Sequence, residues 1–361
     1  MAMITSKVLQ RLTLSALCVA VFILAGCNAP PVTVSVPAGT FVMGNSGAGD
    51  DSTYAAADEL PVHAVTLGAY KIGKYDVTNK EYCDVLNWAL AQGYLQDSTD
   101  VPWAGTGDIY AGGNLQIILI FTDPDSNIEF AGGVFSPKKR LGLPGTTIYP
   151  MDTHPVIDVS WYGAAAYCNW LSQMDKLTPC YDMTSAEWSL VVAPPTPGGY
   201  RLPTEAEWER AAAWDGNKHW IYGFTADTLG KAADRCNDKT DGTVFVNPLG
   251  LTSGPFTSPV GWFDGVNVSP NGSVATVNSV SPAGCYDMCG NVWQWVQDWY
   301  DPAYYSGGSM TNPTGPAPAL YRVYRGGSWG NGFSACRSAF RDDNNPENTG
   351  YDIGFRIARS N

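Results

Sequence analysis

Between Asn79 and Gly93 the residues Tyr82, Leu86 and Leu90 recur every fourth position, which lines them on one face of a helix. Thr78 stands before the run as an N-cap, Glu81 follows three residues later and Gly93 supplies a stop, so the pattern predicts a helix over this stretch. A second helix is predicted from Gly163 to Met174, opened by Ser160 or Trp161, with Ala165, Cys168, Asn169 and Leu171 as one buried stripe. A third begins at Thr204, which reads as a capping box with Glu207, and Pro203 precedes the cap where it breaks nothing. Elsewhere short apolar runs alternate with long connections. Leu115 to Phe121 reads as a hairpin strand inside the Gly-rich stretch Val101 to Pro150, and Asp234 to Pro282 reads as irregular. Gly330 to Asp352 shows no period at all. Arg322 to Trp329 precede it and Gly354 to Ile357 follow it, which predicts loops held by a scaffold, a usual place for recognition.

The N-terminal pattern is different in kind. Lys7 and Arg11 precede an apolar run from Leu12, and Leu24-Ala25-Gly26-Cys27 closes it, the arrangement of a bacterial lipoprotein signal. The expectation is a signal peptide over 1–26, acylation of Cys27, a tether over 27–33, and one domain from 34 to 361. A lipid would then hold the protein on the cell envelope, at the outer membrane and exposed at the surface, since no other apolar run is long enough to span. Loss of Lys7 and Arg11 takes the formal charge from −13 to −15. Such a surface repels nucleic acid, which excludes a phosphate-backbone partner.

Cysteine usage bounds the chemistry. Without Cys18 and the acylated Cys27, Cys83, Cys168, Cys180, Cys236, Cys285, Cys289 and Cys336 remain. An odd number leaves at least one free thiol. Cys285 and Cys289 suit either a disulfide or two buried thiols, and no second pair or His cluster completes a zinc site. Glu205, Glu207 and Glu209 alternate along a helix and so point different ways, and Ser160 has no base at a readable spacing.

Six ordered motifs carry a resemblance. Val36-Pro37-Ala38-Gly39-Thr40-Phe41-Val42-Met43-Gly44, Glu59 to Val65 with Ile72 to Asn79, His154 to Trp161, Tyr200 to Glu209, Met288 to Trp295, and Arg325-Gly326-Gly327-Ser328-Trp329 with Ile353-Gly354-Phe355-Arg356 resemble the formylglycine-generating-enzyme (sulfatase-modifying factor) family over roughly residues 34 to 359. The resemblance implies an α+β class, a C-type-lectin-like fold with short strands, few helices and much irregular structure. It also implies tests for activity. The oxidases of the family bind copper with two cysteines shortly after the Gly-Gly-Ser-aromatic motif, where this chain has Cys336 alone, and one thiol lacks the paired soft ligands of copper(I). The related sulfoxide synthases hold iron with histidines. Here His63 and His154 read as structural, and His219 stands alone. The expectation is therefore a protein that is not an enzyme and needs no cofactor.

Calcium is the one candidate ion. The family's calcium loop matches Cys289 to Gln294, with Asn291 retained and a ligating Glu replaced by Gln294, which weakens a hard-cation site. The alternative is that Asn291 and Gln294 satisfy loop backbone. Asn237, Asp238 and Asp241 offer another candidate set.

The C-terminal arrangement also resembles the variable region of lipoproteins diversified by retroelements. Adenine mutagenesis of AAC codons excludes Trp, Met, Lys, Gln and Glu, and between Gly330 and Asp352 Glu347 alone falls outside the allowed set. The resemblance implies that Trp329, Arg341, Phe355 and the paired glycines fix the backbone. The residues between would form a ligand-binding face: Gly330, Asn331, Gly332, Phe333, Ser334 and Ala335 in one stretch, then Phe340, Asp342, Asp343 and Asn344, then Asn348, Thr349, Gly350, Tyr351 and Asp352. The expected ligand is a protein or glycan on an exposed surface. Two alternatives stand beside this: an invariant polar loop, and an envelope enzyme or maturation factor of the same family.

Overall fold

Short strands around a few capped helices make up the chain in the computed structural model, which describes residues 30–142, 147–228, 234–240, 244–245, 247–272 and 274–361. Lys7, Arg11, Cys27 and Asp241, and with them the expected signal and acylation site, lie outside the described residues. A single turn, α1 (Asp51–Tyr54), precedes α2 (Asn79–Gln92), α3 (Trp161–Met174) and α4 (Glu205–Ala213). All three longer helices start where the caps predict. Thr78 Oγ1 accepts the Glu81 N–H at 3.2 Å and Glu81 Oε2 accepts the Thr78 N–H at 2.8 Å, while Gly93 ends α2 at φ 74°. Thr204 and Glu207 form the same box on α4, and Ser160 Oγ accepts the Gly163 N–H on α3.

Two expectations need correction. α3 has no single buried stripe, because every residue from Trp161 to Ser172 is buried. It packs against α2 and a hairpin strand, and Gly163 allows the approach: a Cβ there would lie 2.0 Å from the Ile118 carbonyl oxygen. The first of the resembling motifs, Val36 to Gly44, reads as one opening strand but spans two, the end of β1 (Thr33–Val36) and all of β2 (Gly39–Met43), divided at Pro37, which has no N–H for a ladder. Order also begins inside the expected tether, since Thr33 starts β1 and the Val32 carbonyl accepts the Lys74 N–H.

The following strands are β3 (His63–Leu67) and β4 (Tyr70–Gly73). The Gly-rich insertion folds as three hairpins: β5 (Ile109–Ala111) with β6 (Gln116–Leu119), β7 (Ile128–Ala131) with β8 (Val134–Pro137), and β9 (Lys139–Gly142) with β10 (Thr147–Pro150). The irregular stretch carries only the small pair β11 (Lys239–Thr240) and β12 (Val244–Phe245) among its described residues. The C-terminal part supplies β13 (Trp293–Trp299), β14 (Met310–Thr311), β15 (Arg322–Arg325), β16 (Asp342–Asn344), β17 (Ile353–Phe355) and β18 (Ala358–Ser360).

The sheet β16-β15-β13-β17 positions the candidate face. β13 pairs antiparallel with β15 and parallel with β17, and all seven of its residues are buried. Strand alternation sends Trp293 and Trp295 into the core built with α2 and α3, and Val296 into the core built with α4, β2 and β3. Residues before and after the aperiodic segment are thus tied to the most buried strand in the fold.

Candidate binding face

Four buried guanidinium groups hold the segment. Arg325, at the end of β15, donates through Nη1 to the Phe340 carbonyl at 2.6 Å and through Nη2 to the Ser338 carbonyl at 2.7 Å and to Glu209 Oε2. Arg337 donates to Asp51 Oδ1 at 2.8 Å and to both oxygens of Glu59. Arg341 meets Glu205 in a fork, Nε to Oε1 at 2.7 Å and Nη2 to Oε2 at 3.0 Å, and Arg356 donates to Asp76 Oδ1 at 2.9 Å and to Gln294 Oε1 at 2.6 Å. Bidentate charge-assisted pairs of this kind fix direction as well as distance. For Arg341, burial works to lower its proton affinity, but Glu205 outweighs burial and pushes the guanidinium further up. The glycines complete the frame. Gly326 and Gly327 both take positive φ, 96° and 70°, and a Cβ on Gly327 would press within 2.6 Å of Cys336 Sγ. Trp329 and Phe355 are buried, as the expected scaffold requires.

Between these anchors no residue of the expected face is buried. Tyr351 is 52% exposed and leans on Trp329, with ring centroids 5.5 Å apart. Asn348 is exposed; Phe333, half-buried, meets Tyr54 edge-on at 5.3 Å. Gly330, Gly332, Ser334, Ala335, Phe340 and Thr349 are likewise half-buried. The segment is more ordered than loops, however. Phe333–Cys336 is a 3-10 turn, and Asp342, Asp343 and Asn344 form β16, paired with β15 through Tyr324, Val323 and Arg322. Lack of period hid the strand because it has three residues and lies at a sheet edge.

Three expected face residues also serve the frame. Asn331 Oδ1 and Asp352 Oδ2 each lie 2.6 Å from Ser328 Oγ, and the Gly350 carbonyl accepts the Asp158 N–H at 3.0 Å. Burial raises the carboxyl of Asp352, and likewise those of Asp342 and Asp343.

The amides of the expected calcium loop are committed elsewhere. Gln294 Oε1 accepts both Trp208 Nε1–H and Arg356 Nε–H at 2.6 Å, and Gln294 Nε2 donates to the Asp287 carbonyl. Asn291 Oδ1 accepts the Ser258 N–H at 2.9 Å. An oxygen already shared by two donors, one cationic, does not fit a calcium ligand, and the loop-satisfying alternative describes both residues. Of the second set, Asn237 donates to the Phe256 carbonyl and Asp238 is buried. Among the described residues no group of three or more His, Cys, Asp or Glu is arranged to hold a metal.

Cysteine and histidine placement revises the reading made from spacing. The seven cysteines named above are buried free thiols. Cys285 and Cys289 fall in separate cores, whereas Cys336 is not isolated: it packs with Cys236 and Cys289, whose thiols are in hydrogen-bonding contact. Burial, then those neighbours, hold the Cys289 thiol well above its ordinary value. His63 Nδ1 meets the Pro61 carbonyl and His154 Nδ1 meets Thr257 Oγ1, both structural roles. His219 does not stand alone. Its Nε2 lies 3.0 Å from Glu209 Oε1. Glu207 faces away and pairs with Arg201, but the expected divergence of all three needs correction: Glu205 and Glu209, one helical turn apart, share a face, and Arg325 meets both, with Arg341 adding a second partner for Glu205.

The sulfatase-modifying factor enzyme 1-like domain matches residues 25–361. The chain belongs to that family. A formylglycine-generating enzyme of Thermomonospora curvata is 29% identical over 332 residues, covering 90% of this chain and 92% of that protein. A mouse relative named inactive Cα-formylglycine-generating enzyme 2 is 26% identical over 344 residues, covering 91% and 86%. Among solved structures, Treponema denticola variable protein 1 superposes with a TM-score of 0.57 at 23% identity, covering 91% of this chain and 95% of that one. The fold is therefore the C-type-lectin-like fold of the formylglycine-generating-enzyme type, α+β with short strands and few helices. Sequence reasoning found Arg341 but missed Arg325, Arg337 and Arg356 as its companions. The signal was present: four arginines sit within or beside Gly- and Ala-rich motifs of a chain that is only 15% charged.

Proposed function

We propose that this member of the family is a non-catalytic, lipid-anchored binding protein of the bacterial envelope. Its C-terminal face would bind a protein or glycan at an exposed surface and vary by retroelement mutagenesis. The observation that supports the reading is the division within one segment: Arg325, Arg337, Arg341, Trp329 and Phe355 are buried, while Phe333, Asn348, Thr349 and Tyr351 between them are not. Side chains of the second kind can change at little cost to the fold. Acylation of Cys27 would place this face outside the membrane; Cys27→Ala should leave unprocessed precursor and remove labelling by a fatty-acid analogue. Two versions of the chain differing only at Gly332 to Ala335 and at Asn348, Thr349 and Tyr351 should fold alike and capture different ligands from host or bacterial surface extracts. Identical capture by both would defeat the binding-face reading.

A second reading, an envelope enzyme or maturation factor, draws on the 29% identity to a named formylglycine-generating enzyme across nine-tenths of the chain. The packing of Cys336 with Cys236 and Cys289 also favours it. Incubation of purified protein with copper and a Cys-x-Pro-x-Arg peptide separates the two, because formylglycine would form only under the second.

A further inference from the structure

The chain carries a cavity that shares no residue with the C-terminal face. It measures about 370 Å³ and lies where β2, the loop after it and the turn after α4 meet. Val42, Val62 and Trp214 give it apolar walls. Lys218 and Asp227 stand at it as well, but they pair with each other, so the cavity presents no uncompensated charge from them. A size of this order suits a small ligand, and mainly apolar walls with a few placed polar groups are what such sites have.

The placed polar group is His219. Only 8% exposed, it lines the cavity, and its Nδ1 has no hydrogen-bond partner in the protein. Its other nitrogen is committed to Glu209. Glu209 accepts the Gly44 N–H at 2.7 Å on the same oxygen that meets Nε2. Burial works to raise this carboxyl, yet Arg325, then His219 and the Gly44 N–H, outweigh burial and hold it at about 2. An ionised carboxylate only accepts, so Nε2 carries a proton toward Glu209, and Nδ1 is the ring nitrogen left without a partner. A buried polar atom without a partner is costly, and a ligand hydroxyl, which can both donate and accept, would satisfy it.

We propose that this cavity is a second binding site, for a neutral ring that has one apolar face and a hydroxyl edge, that is, a pyranose sugar residue. The apolar face would lie on Trp214, Val42 and Val62, and one hydroxyl would hydrogen-bond with His219 Nδ1. Placing an aromatic wall beside an unpartnered ring nitrogen matches the two-sided chemistry of a sugar ring. Lack of net charge disfavours carboxylate or phosphate ligands.

Saturation-transfer NMR of the full-length protein, in a detergent without sugar headgroups, tests this with methyl glucoside, methyl galactoside and N-acetylglucosamine as probes and acetate as competitor. At least one sugar should receive saturation, and acetate should not displace it. His219→Gln retains a nitrogen donor for Glu209 but removes the ring nitrogen Nδ1; it should weaken binding about tenfold, the scale of one hydrogen bond, with the melting temperature unchanged. Val62→Trp, at a 44% exposed position on the wall, should block the cavity and abolish binding without disturbing the core. Transfer to none of the three sugars, equal binding by both variants, or displacement by acetate would each overturn the proposal. Variants of the C-terminal face should leave this binding intact, so failure of one site is distinguishable from failure of the other.

Discussion

The frame and the face of the C-terminal segment use the same stretch of chain in opposite ways. Arg337 and Arg341 bury their guanidinium groups against Asp51, Glu59 and Glu205, residues well over a hundred positions away in sequence, whereas Tyr351 leans on Trp329 at the other end of the same segment and Asn348 bonds to Asn344 four residues away. Stability in this region therefore comes from a few long-range contacts, not from the segment as a whole. Such a division lets surface chemistry change while the backbone stays fixed.

The hardest way to break the comparison is to remove one anchor. Arg337→Ala strands Asp51 and Glu59 as unpaired buried carboxylates, and the expected loss is about 3–5 kcal/mol in denaturant unfolding. Trp329→Ala should cost a similar amount through the volume lost. A loss under about 1 kcal/mol in either would mean that the anchors are not what holds the face.

A smaller effect of opposite sign is expected at Asp158, whose N–H supports the face through the Gly350 carbonyl. Burial, then Asp123 and Asp125, push its carboxyl up to about 7, while an unfolded Asp titrates near 3.9. The folded state thus binds the extra proton between those values, and stability falls as pH rises through that window. Asp158→Asn keeps a side chain that tolerates the positive φ of 58° and removes the charge. Unfolding at pH 8 should show a gain on the order of 2 kcal/mol that vanishes near pH 4. A loss at pH 8 would place a needed ionised partner there.

The division is then sharpened within the face. Asp352→Ala, which cuts the link to Ser328, should cost about 1 kcal/mol, and Asn348→Ala close to nothing. Equal effects would erase the distinction drawn between them. Last, added calcium should leave the melting temperature where it is, because Gln294 Oε1 already accepts two donors. A calcium-dependent rise would require that amide to be displaced.

Helix caps were legible from sequence because they are local: Thr78 with Glu81 and Thr204 with Glu207 sit three residues apart, and the structure forms both boxes. The scaffold roles of Trp329, Arg341 and Phe355 were legible through family resemblance. What stayed hidden is non-local. Nothing in the spacing brings Cys236 to Cys289 and Cys336, joins His219 to Glu209 across a turn, or pairs Asp342–Asn344 with β15. β16 in particular carries Asp and Asn, poor strand formers, and is held by its neighbour and not by propensity.

The central claim is the separation of frame from face, and thermal unfolding of two variants measures it most directly. One combines Phe333→Ser, Asn348→Ala and Tyr351→Ser; the other is Arg341→Ala alone. The triple face variant is expected to melt within a few degrees of the unaltered protein, while the single arginine change lowers the midpoint several times further. A triple variant that melts as low as Arg341→Ala would show that the face is part of the core, and the account would be wrong.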